Sequence, residues 1–193
     1  MRSKGQVTVA LDFALDFITS CQEAKAENIT FITLYTANLE LIQTATKEEK
    51  KYAGHMRDCK VSTVVDYRGQ GDDIVIVVTG NNQTHGRGIA ADEHVLSMLL
   101  TRQKAGLVVV GDINVANSIK KLAAEAKAAK SKRKGSSFTV RKTTGEVANV
   151  DAGTLQDVHI ALWESCRVVT VPVKKDVKSP DVKQEKGKGV DKQ

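Results

Sequence analysis

The stretch Ile74-Val-Ile-Val-Val78 decides the fold, because all five of its side chains are apolar. A strand that is covered on both faces is apolar throughout, and such strands are typical of mostly parallel sheets. We predict a buried strand from Ile74 to Thr79, and Gly106–Gly111 has the same character. Two shorter runs rich in β-branched residues, Ile29–Tyr35 and Val61–Val65, complete a set of four predicted strands.

Apolar residues at helical spacing predict helices before and between these strands. The predicted helices are Val9–Gln22, Asn38–Tyr52, Ala91–Arg102 and the Ala- and Lys-rich segment Ile113–Lys130. For the first of them, an alternating apolar pattern from Val7 to Phe13 leaves a strand as the alternative. Interleaved strands and helices indicate an α/β fold with helices on both faces of a mostly parallel sheet, and such folds usually bind ligands at the carboxyl ends of the strands.

The composition favours one soluble, intracellular core with appended segments. The chain has 193 residues, 41% of them hydrophobic, and lacks the long uninterrupted apolar run that a membrane span needs. Its three cysteines, an odd number without paired spacing, favour a reducing compartment, cytoplasmic or nuclear, over a disulfide framework. His55 and Cys59 are four residues apart, but with no second pair nearby we predict no metal site.

The net charge of +6 is concentrated in one segment. Residues 1–119 carry 12 Lys/Arg and 14 Asp/Glu, a net charge of −2, whereas residues 120–142 carry nine Lys/Arg and one Glu, a net charge of +8. We therefore predict a core at 1–119, a basic helix or linker with a closing helix and strand at 120–173, and a disordered Lys-rich tail at 174–193. The closing helix and strand are expected between Val158 and Val173.

Three segments in the core resemble motifs of a known family. Thr63-Val-Val-Asp-Tyr-Arg-Gly-Gln-Gly-Asp-Asp-Ile-Val-Ile76 is similar to T-V-D-x-F-Q-G-x-E-x-D-x-V-I, and Ser97–Gly111 is similar to N-V-A-L-T-R-A-x-x-G-L-x-x-V-G. The segment Ile32-Thr-Leu-Tyr-Thr-Ala-Asn38 is similar to I-T-P-Y-x-x-Q. These motifs, spanning roughly Val9–Val115, resemble the second RecA-like domain of superfamily 1 helicases, in the group of the nonsense-mediated-decay RNA helicases and the replication helicase-nucleases.

The resemblance implies a RecA-like three-layer sandwich and a set of site residues. It makes Arg102 the catalytic arginine finger, which stabilises charge on the transferred phosphate, and places Gly69 and Arg68 at the nucleotide. Thr33, Ser62 and Thr63 then match residues that hold single-stranded RNA or DNA. Without the resemblance, Arg102 is an ordinary arginine at a helix end.

Departures from the family motifs limit what the chain does alone. Arg68 and Gly71 replace a glutamine and a glutamate that help to hold the nucleotide, and Val65 replaces an aspartate. The sequence also has no G-x-x-x-x-G-K-[ST] phosphate loop. ATP and Mg²⁺ are therefore expected only if a separate chain supplies the first RecA-like domain. The alternative is a non-catalytic RecA-like binding or scaffold module.

The basic segment has two interpretations, a solvated helix face and a contact to phosphates. Its densest part contains Lys130, Lys132, Arg133 and Lys134, which also suits a nuclear-import signal. We favour a weak, salt-sensitive contact with single-stranded nucleic acid.

Overall fold

The computed structural model of the chain describes residues 2–83, 86–116, 137–141, 147–151 and 153–172. The described helices are α1 (Lys4–Ser20), α2 (Thr36–Glu48), α3 (Lys50–Met56), α4 (Glu93–Leu100) and α5 (Gly153–Glu164). The described strands are β1 (Ile29–Thr33), β2 (Lys60–Thr63), β3 (Asp72–Val78), β4 (Gln103–Val110), β5 (Ser137–Arg141) and β6 (Val147–Asp151). All four predicted strands are present, which confirms the α/β fold.

The central sheet has the strand order β2-β1-β3-β4, and every pair of neighbours is parallel. Thr33 at the end of β1 pairs with Thr63 of β2 and with Val78 of β3, so the carboxyl ends lie together at one edge. The strands begin together at the opposite edge, which we call the amino edge. The antiparallel pair β5–β6 forms a separate sheet that the sequence patterns did not predict.

Helices cover both faces of the sheet, as the all-apolar strands require. Alternate residues of each strand point to opposite faces, so Phe31 and Ile76 pack beneath α1, α2 and α3 in one core cluster. Ile32 and Val75 instead pack with Leu99 of α4 in a second cluster. The resulting three layers confirm the RecA-like sandwich.

The first two helices differ from their predicted bounds. α1 begins at Lys4, which excludes the alternative strand from Val7 to Phe13. The predicted helix Asn38–Tyr52 is divided into α2 and α3 at Glu49, where the backbone is extended with ψ 121°. The division lets Tyr52 turn inward, where its hydroxyl donates a hydrogen bond of 2.7 Å to Asp12 of α1.

The prediction of a closing strand before Val173 is wrong. The helix expected in this region is present as α5, but residues 167–172 form no strand and Val169 is 86% exposed. The run Val168-Val-Thr-Val171 has strand composition, yet within the described ranges no neighbouring strand pairs with it. Strand propensity without a pairing partner is not sufficient to form a sheet.

Part of the predicted organisation lies outside the described residues. Of the predicted helix Ile113–Lys130 the structure describes Ile113–Ala116, which form a turn. The four basic candidates, Lys130, Lys132, Arg133 and Lys134, and the predicted tail from residue 174 also lie outside, so the proposed domain boundaries stay predictions. Among the described helices, none combines the length and apolar character that would let it cross a membrane.

Candidate functional site

The connection from β2 to β3 builds one wall of the candidate site. This crossover segment, residues 64–71, leaves the carboxyl end of β2, passes over β1 and reaches the amino edge at Asp72. Val64 and Tyr67 are buried in the cluster that contains Ile32, which holds the segment against the sheet. Gly69 has φ +73°, a backbone conformation that glycine adopts without strain.

Helix α4 builds the opposite wall and positions Arg102. Asp92 caps its start, because the Asp92 carboxylate accepts hydrogen bonds from the N–H groups of His94 (2.9 Å) and Val95 (3.3 Å). The helix ends at Leu100, and Arg102 directly precedes β4. Since β4 is parallel to its neighbours, Arg102 lies at the amino edge, opposite the carboxyl ends where α/β folds usually bind ligands.

A cleft of about 240 Å³ separates the two walls. It is lined by Ile32, Val64, Tyr67, Arg68, Gly69, Met98 and Arg102. The structure therefore brings together the three residues that the resemblance assigned to the nucleotide. The apolar side chains and the Tyr67 ring suit a flat organic group, and the two guanidinium groups suit an anionic group attached to it.

The guanidinium of Arg102 contacts the crossover segment. Its Nη1 donates to the carbonyl oxygen of Gln70 (3.3 Å), and its Nη2 donates to the hydroxyl of Thr101 (2.9 Å). Its Nε is buried without a hydrogen-bond partner among the described residues. Arg102 thus packs between the two walls, and its Nε is a donor that an anion reaches only if the side chain moves.

The space around Gly71 explains one departure from the family motif. A Cβ atom at Gly71 would lie 3.2 Å from the carbonyl oxygen of Arg102. The same oxygen accepts a backbone hydrogen bond of 3.2 Å from Asp72, which fixes the two chains at this separation. The family glutamate would therefore require this part of the amino edge to shift.

A polar cluster at the amino edge supports the crossover segment. The Asp72 carboxylate accepts hydrogen bonds from Thr30 of β1 (2.6 Å), from Lys60 of β2 (2.7 Å) and from the hydroxyl of Tyr67. Burial alone would raise the pKa of Asp72, but the hydrogen bonds from Lys60, Thr30 and Tyr67 outweigh it and lower the pKa to about 2. Burial raises the pKa of Tyr67 to about 12, and its bond to Asp72 acts in the same direction.

The nucleic-acid candidates occupy the carboxyl edge, away from Arg102. Thr33 is fully buried, so a contact with a nucleic-acid strand would need this edge to open. Ser62 and Thr63 are partly exposed, but the Thr63 hydroxyl donates a hydrogen bond of 2.6 Å to Asp66. A carboxylate at this position repels phosphate.

Several other polar groups at the carboxyl edge bond within the chain, whereas Asn38 Nδ2 is buried there without a hydrogen-bond partner among the described residues. The Tyr35 hydroxyl donates to the Asn81 side chain (2.9 Å), and Gln6 of α1 accepts from the Gly80 N–H (2.8 Å). Gln6 also donates to the carbonyl of Asn81 (2.6 Å), which fastens the start of α1 over this edge. Burial raises the pKa of Tyr35, so its hydroxyl stays protonated.

Residues that bind metals in other proteins do not converge in the described part of the chain. No group of three or more His, Cys, Asp or Glu side chains there could hold an ion. Cys59 is buried, which raises the pKa of its thiol to about 12, whereas His55 is exposed. A thiol that stays protonated is a poor metal ligand and a poor nucleophile.

Sequence reasoning did not identify the polar cluster around Asp72. One signal was present, because Tyr67 occupies a position that is phenylalanine in the family motif and Asp72 occupies a variable position. Parallel pairing supplies the rest, since it brings the starts of β1, β2 and β3 to the same edge. That proximity is a tertiary fact that no local pattern encodes.

The three layers and the arginine-lined cleft define a RecA-like α/β domain. Residues 2–114 match the sequence model of the AAA_12 family, which is described as an AAA domain. Because the match covers more than half of the chain, the chain belongs to this family and contains a helicase-like domain. No curated protein is significantly similar to the chain.

Proposed function

We propose that the chain is the second motor domain of a superfamily 1 helicase, which contributes arginines to a nucleotide site shared with a first RecA-like domain. The helicase group would be that of the nonsense-mediated-decay RNA helicases and the replication helicase-nucleases. The observation that supports this proposal most is that Arg68, Gly69 and Arg102 line one cleft. The adjacent residues Arg68 and Gly69 come from one sequence motif and Arg102 from another, and these two motifs would not be expected to meet unless they serve one site.

The chemistry of phosphoryl transfer accounts for arginines at such a cleft. Negative charge spreads over the oxygens of the transferred phosphate, and a guanidinium is a permanent, directional cation that stabilises this charge. The Nε of Arg102 is buried without a partner among the described residues, so in this proposal it becomes a donor to the phosphate when the side chain turns towards the ligand. In this proposal Arg102 acts on the γ-phosphate and Arg68 takes the place of the family glutamine.

ATP and Mg²⁺ would be held mainly by the first RecA-like domain. The 193 residues contain no phosphate-loop motif, and the Asp72 carboxylate is already bonded to three side chains of its own chain. The cleft therefore offers Mg²⁺ no free cluster of carboxylates. The partner in this proposal is a separate chain, or another part of the same protein, that carries the phosphate loop.

A second candidate function is a non-catalytic binding or scaffold module with weak affinity for nucleic acid. Two observations favour it: Gly71 lacks the side chain with which the family holds nucleotide, and Thr63 is bonded to Asp66 rather than exposed to a strand. Single-stranded RNA or DNA would then contact mainly the basic residues from Lys130 to Lys134. Both functions suit a cytoplasmic or nuclear protein.

Titration of the whole chain with a fluorescent ATP analogue and Mg²⁺ tests the nucleotide proposal. We expect weak, saturable binding that Arg102→Ala and Arg68→Ala each weaken at least about threefold, the effect of losing one charge-assisted hydrogen bond. Lys104→Ala is the matched control, because Lys104 is an exposed cation of the same edge that pairs with Asp73 at 4.0 Å. Equal affinity in all four proteins would favour the scaffold function.

A hydrolysis assay of the chain alone complements the titration. We expect no ATP turnover above background, because these residues include no phosphate loop. Robust turnover that Arg102→Ala abolishes would show a complete active site within the 193 residues and would contradict the shared-site proposal.

A further inference from the structure

We propose that Asp72 is a positioning residue for the cleft, which acts through Tyr67 to hold the crossover segment, and with it Arg102, in the arrangement that binds an anion. Asp72 itself does not line the cleft. For nucleotide binding this inference rests on the function proposed above, whereas the effect on Arg102 itself does not depend on that function.

The Asp72 carboxylate is held rigidly by the sheet. Asp72 is the first residue of β3, and its carboxylate bonds to Thr30 and Lys60, which lie at the starts of the two adjacent strands β1 and β2. Thr30 is fully buried, and the Asp72 side chain is only 15% exposed. A carboxylate held by two strands of a parallel sheet has little freedom to move.

The tie to the cleft runs through Tyr67. The Tyr67 hydroxyl donates to the same carboxylate oxygen that accepts from Thr30, and the Tyr67 ring lines the cleft. Tyr67 is 3% exposed, so no water replaces this hydrogen bond without opening the segment. The bond connects the middle of the crossover segment to the sheet across the short turn that contains Gly69.

The crossover segment in turn holds Arg102. Gln70 follows Tyr67 by three residues, and its carbonyl accepts the bond from Arg102 Nη1 at 3.3 Å. The main chain of Asp72 donates to the carbonyl of Arg102 at 3.2 Å, so the two residues are connected by backbone as well as by side chains. Releasing Tyr67 removes the support for the Gln70 carbonyl and frees the guanidinium.

The neighbouring acidic residue Asp73 is bonded differently. Its carboxylate pairs with Lys104, which is 67% exposed, at a separation of 4.0 Å. An exposed pair at this distance contributes little. The Asp73–Lys104 pair therefore provides a control of the same charge type at the same edge.

Chemical labelling of arginines in the whole chain tests the proposal without any ligand. Phenylglyoxal modifies exposed guanidinium groups, and mass spectrometry reports the rate at each arginine. We expect Tyr67→Phe and Asp72→Leu, which removes both acceptor oxygens, each to raise the labelling rate of Arg102 relative to the exposed Arg167 about 3-fold to 10-fold, the effect of losing one buried hydrogen bond. Lys104→Ala should leave that ratio unchanged.

The double variant separates positioning from general loss of stability. If Tyr67 and Asp72 act through one bond, Tyr67→Phe with Asp72→Leu should raise the Arg102 ratio no more than the stronger single variant. Labelling is compared at temperatures where each variant is fully folded by circular dichroism. If Asp72→Leu does not fold, Tyr67→Phe, which removes one oxygen atom, decides alone.

The same proteins titrated with the fluorescent ATP analogue distinguish the two levels of the proposal. If the variants label faster at Arg102 and bind nucleotide more weakly, both the positioning role and the proposed function are supported. If they label faster at Arg102 but the parent chain binds no nucleotide, the positioning role is supported and the proposed function is overturned. An unchanged Arg102 label in Tyr67→Phe overturns the positioning role, whatever the nucleotide result.

Discussion

The two edges of the central sheet differ in how their polar groups are used. At the amino edge, Arg68 and Arg102 line a cleft, and Arg102 Nε has no partner among the described residues. At the carboxyl edge, Tyr35 and Gln6 bond to the loop after β3, and Thr63 bonds to Asp66. Each edge has one buried donor without a partner, Arg102 Nε and Asn38 Nδ2, but only the arginine belongs to a residue that lines the cleft, whereas Asn38 is enclosed within the fold.

The difference shows that strand direction alone does not locate a binding site. Parallel sheets usually bind ligands at the carboxyl ends of their strands, because loops of both helical layers diverge there. In this chain the start of α1 is fastened over that edge by Gln6. The cleft lies instead over one face of the sheet, between the crossover segment and α4, and extends from Ile32 and Val64 near the carboxyl ends to Arg102 at the amino edge.

The largest expected effect concerns catalysis at the amino edge. With a first RecA-like domain added, Arg102→Ala should lower kcat about 10³-fold or more, as expected for an arginine finger. Steady-state ATPase assays measure this, with Lys104→Ala as the control that keeps its activity. A kcat within about twofold of the parent would remove Arg102 from the reaction.

A matched pair of glycines compares the packing of the two edges. Gly80 at the carboxyl edge and Gly69 at the amino edge have nearly equal φ angles of +71° and +73°. A Cβ at Gly80 would lie 2.5 Å from Asn38 Nδ2, whereas a Cβ at Gly69 would have no atom within 4 Å. Gly80→Ala should lower the free energy of unfolding by about 2–5 kcal/mol and Gly69→Ala by about 1–2 kcal/mol.

Urea-induced unfolding of the two alanine variants measures this difference. Because φ is nearly the same at both positions, the excess loss of stability in Gly80→Ala reports the packing of Asn38 and the Tyr35 ring around Gly80. Equal losses of stability would show that the carboxyl edge is no more tightly packed than the loop at Gly69.

Acid should weaken the amino edge selectively. The pKa of Asp72 is lowered to about 2, so its contribution to stability is complete above the ordinary pKa near 4 and is lost as the pH falls towards 2. The lost contribution is about 2 kcal/mol at most. The free energy of unfolding should be measured from about pH 5 to about pH 2, which covers both pKa values. It should fall less over this range in Asp72→Asn than in the parent.

Asp73→Asn is the control for this acid titration, because its pair with Lys104 is exposed. If Asp73→Asn and Asp72→Asn flatten the pH dependence equally, the polar cluster around Asp72 has no special role in stability.

The smallest effects are expected for nucleic acid. Replacing Lys130, Lys132, Arg133 and Lys134 with alanine should reduce the slope of log K against log salt by up to about 0.7 per lost contact with a single-strand phosphate. Thr63→Ala should change little, since the Thr63 hydroxyl is bonded to Asp66. Titrations of a labelled single strand at three salt concentrations test both, and loss of binding in Thr63→Ala alone would place the interface at the carboxyl edge.

Local pattern was sufficient to predict most of the fold. The all-apolar run Ile74-Val-Ile-Val-Val78 forms a strand buried between two layers. Hydrophobic periodicity located α1 and α4 to within a few residues and located α2 apart from the division at Glu49. The closing strand near Val169 was predicted from the same kind of pattern and is wrong, because pairing decides whether a β-prone run becomes a strand.

The candidate site was predicted in its parts but not in its arrangement. Sequence motifs selected Arg68, Gly69 and Arg102, and the structure places all three on one cleft. The bond between Thr63 and Asp66 joins residues three positions apart in one turn, so a local pattern could have suggested it, whereas the complete burial of Thr33 depends on the segments that cover the end of β1.

The sequence by itself determined the four strands of the central sheet, the main helices that cover it and the identity of the arginines, since these follow from hydrophobic periodicity and from residue types at fixed spacing. The tertiary structure decided where the cleft lies and which side chains support it. Thr30, Lys60 and Asp72 are up to 42 positions apart in the chain and meet because parallel pairing aligns the starts of three strands. Contacts of this range depend on the register of the whole sheet, which no local stretch of sequence specifies.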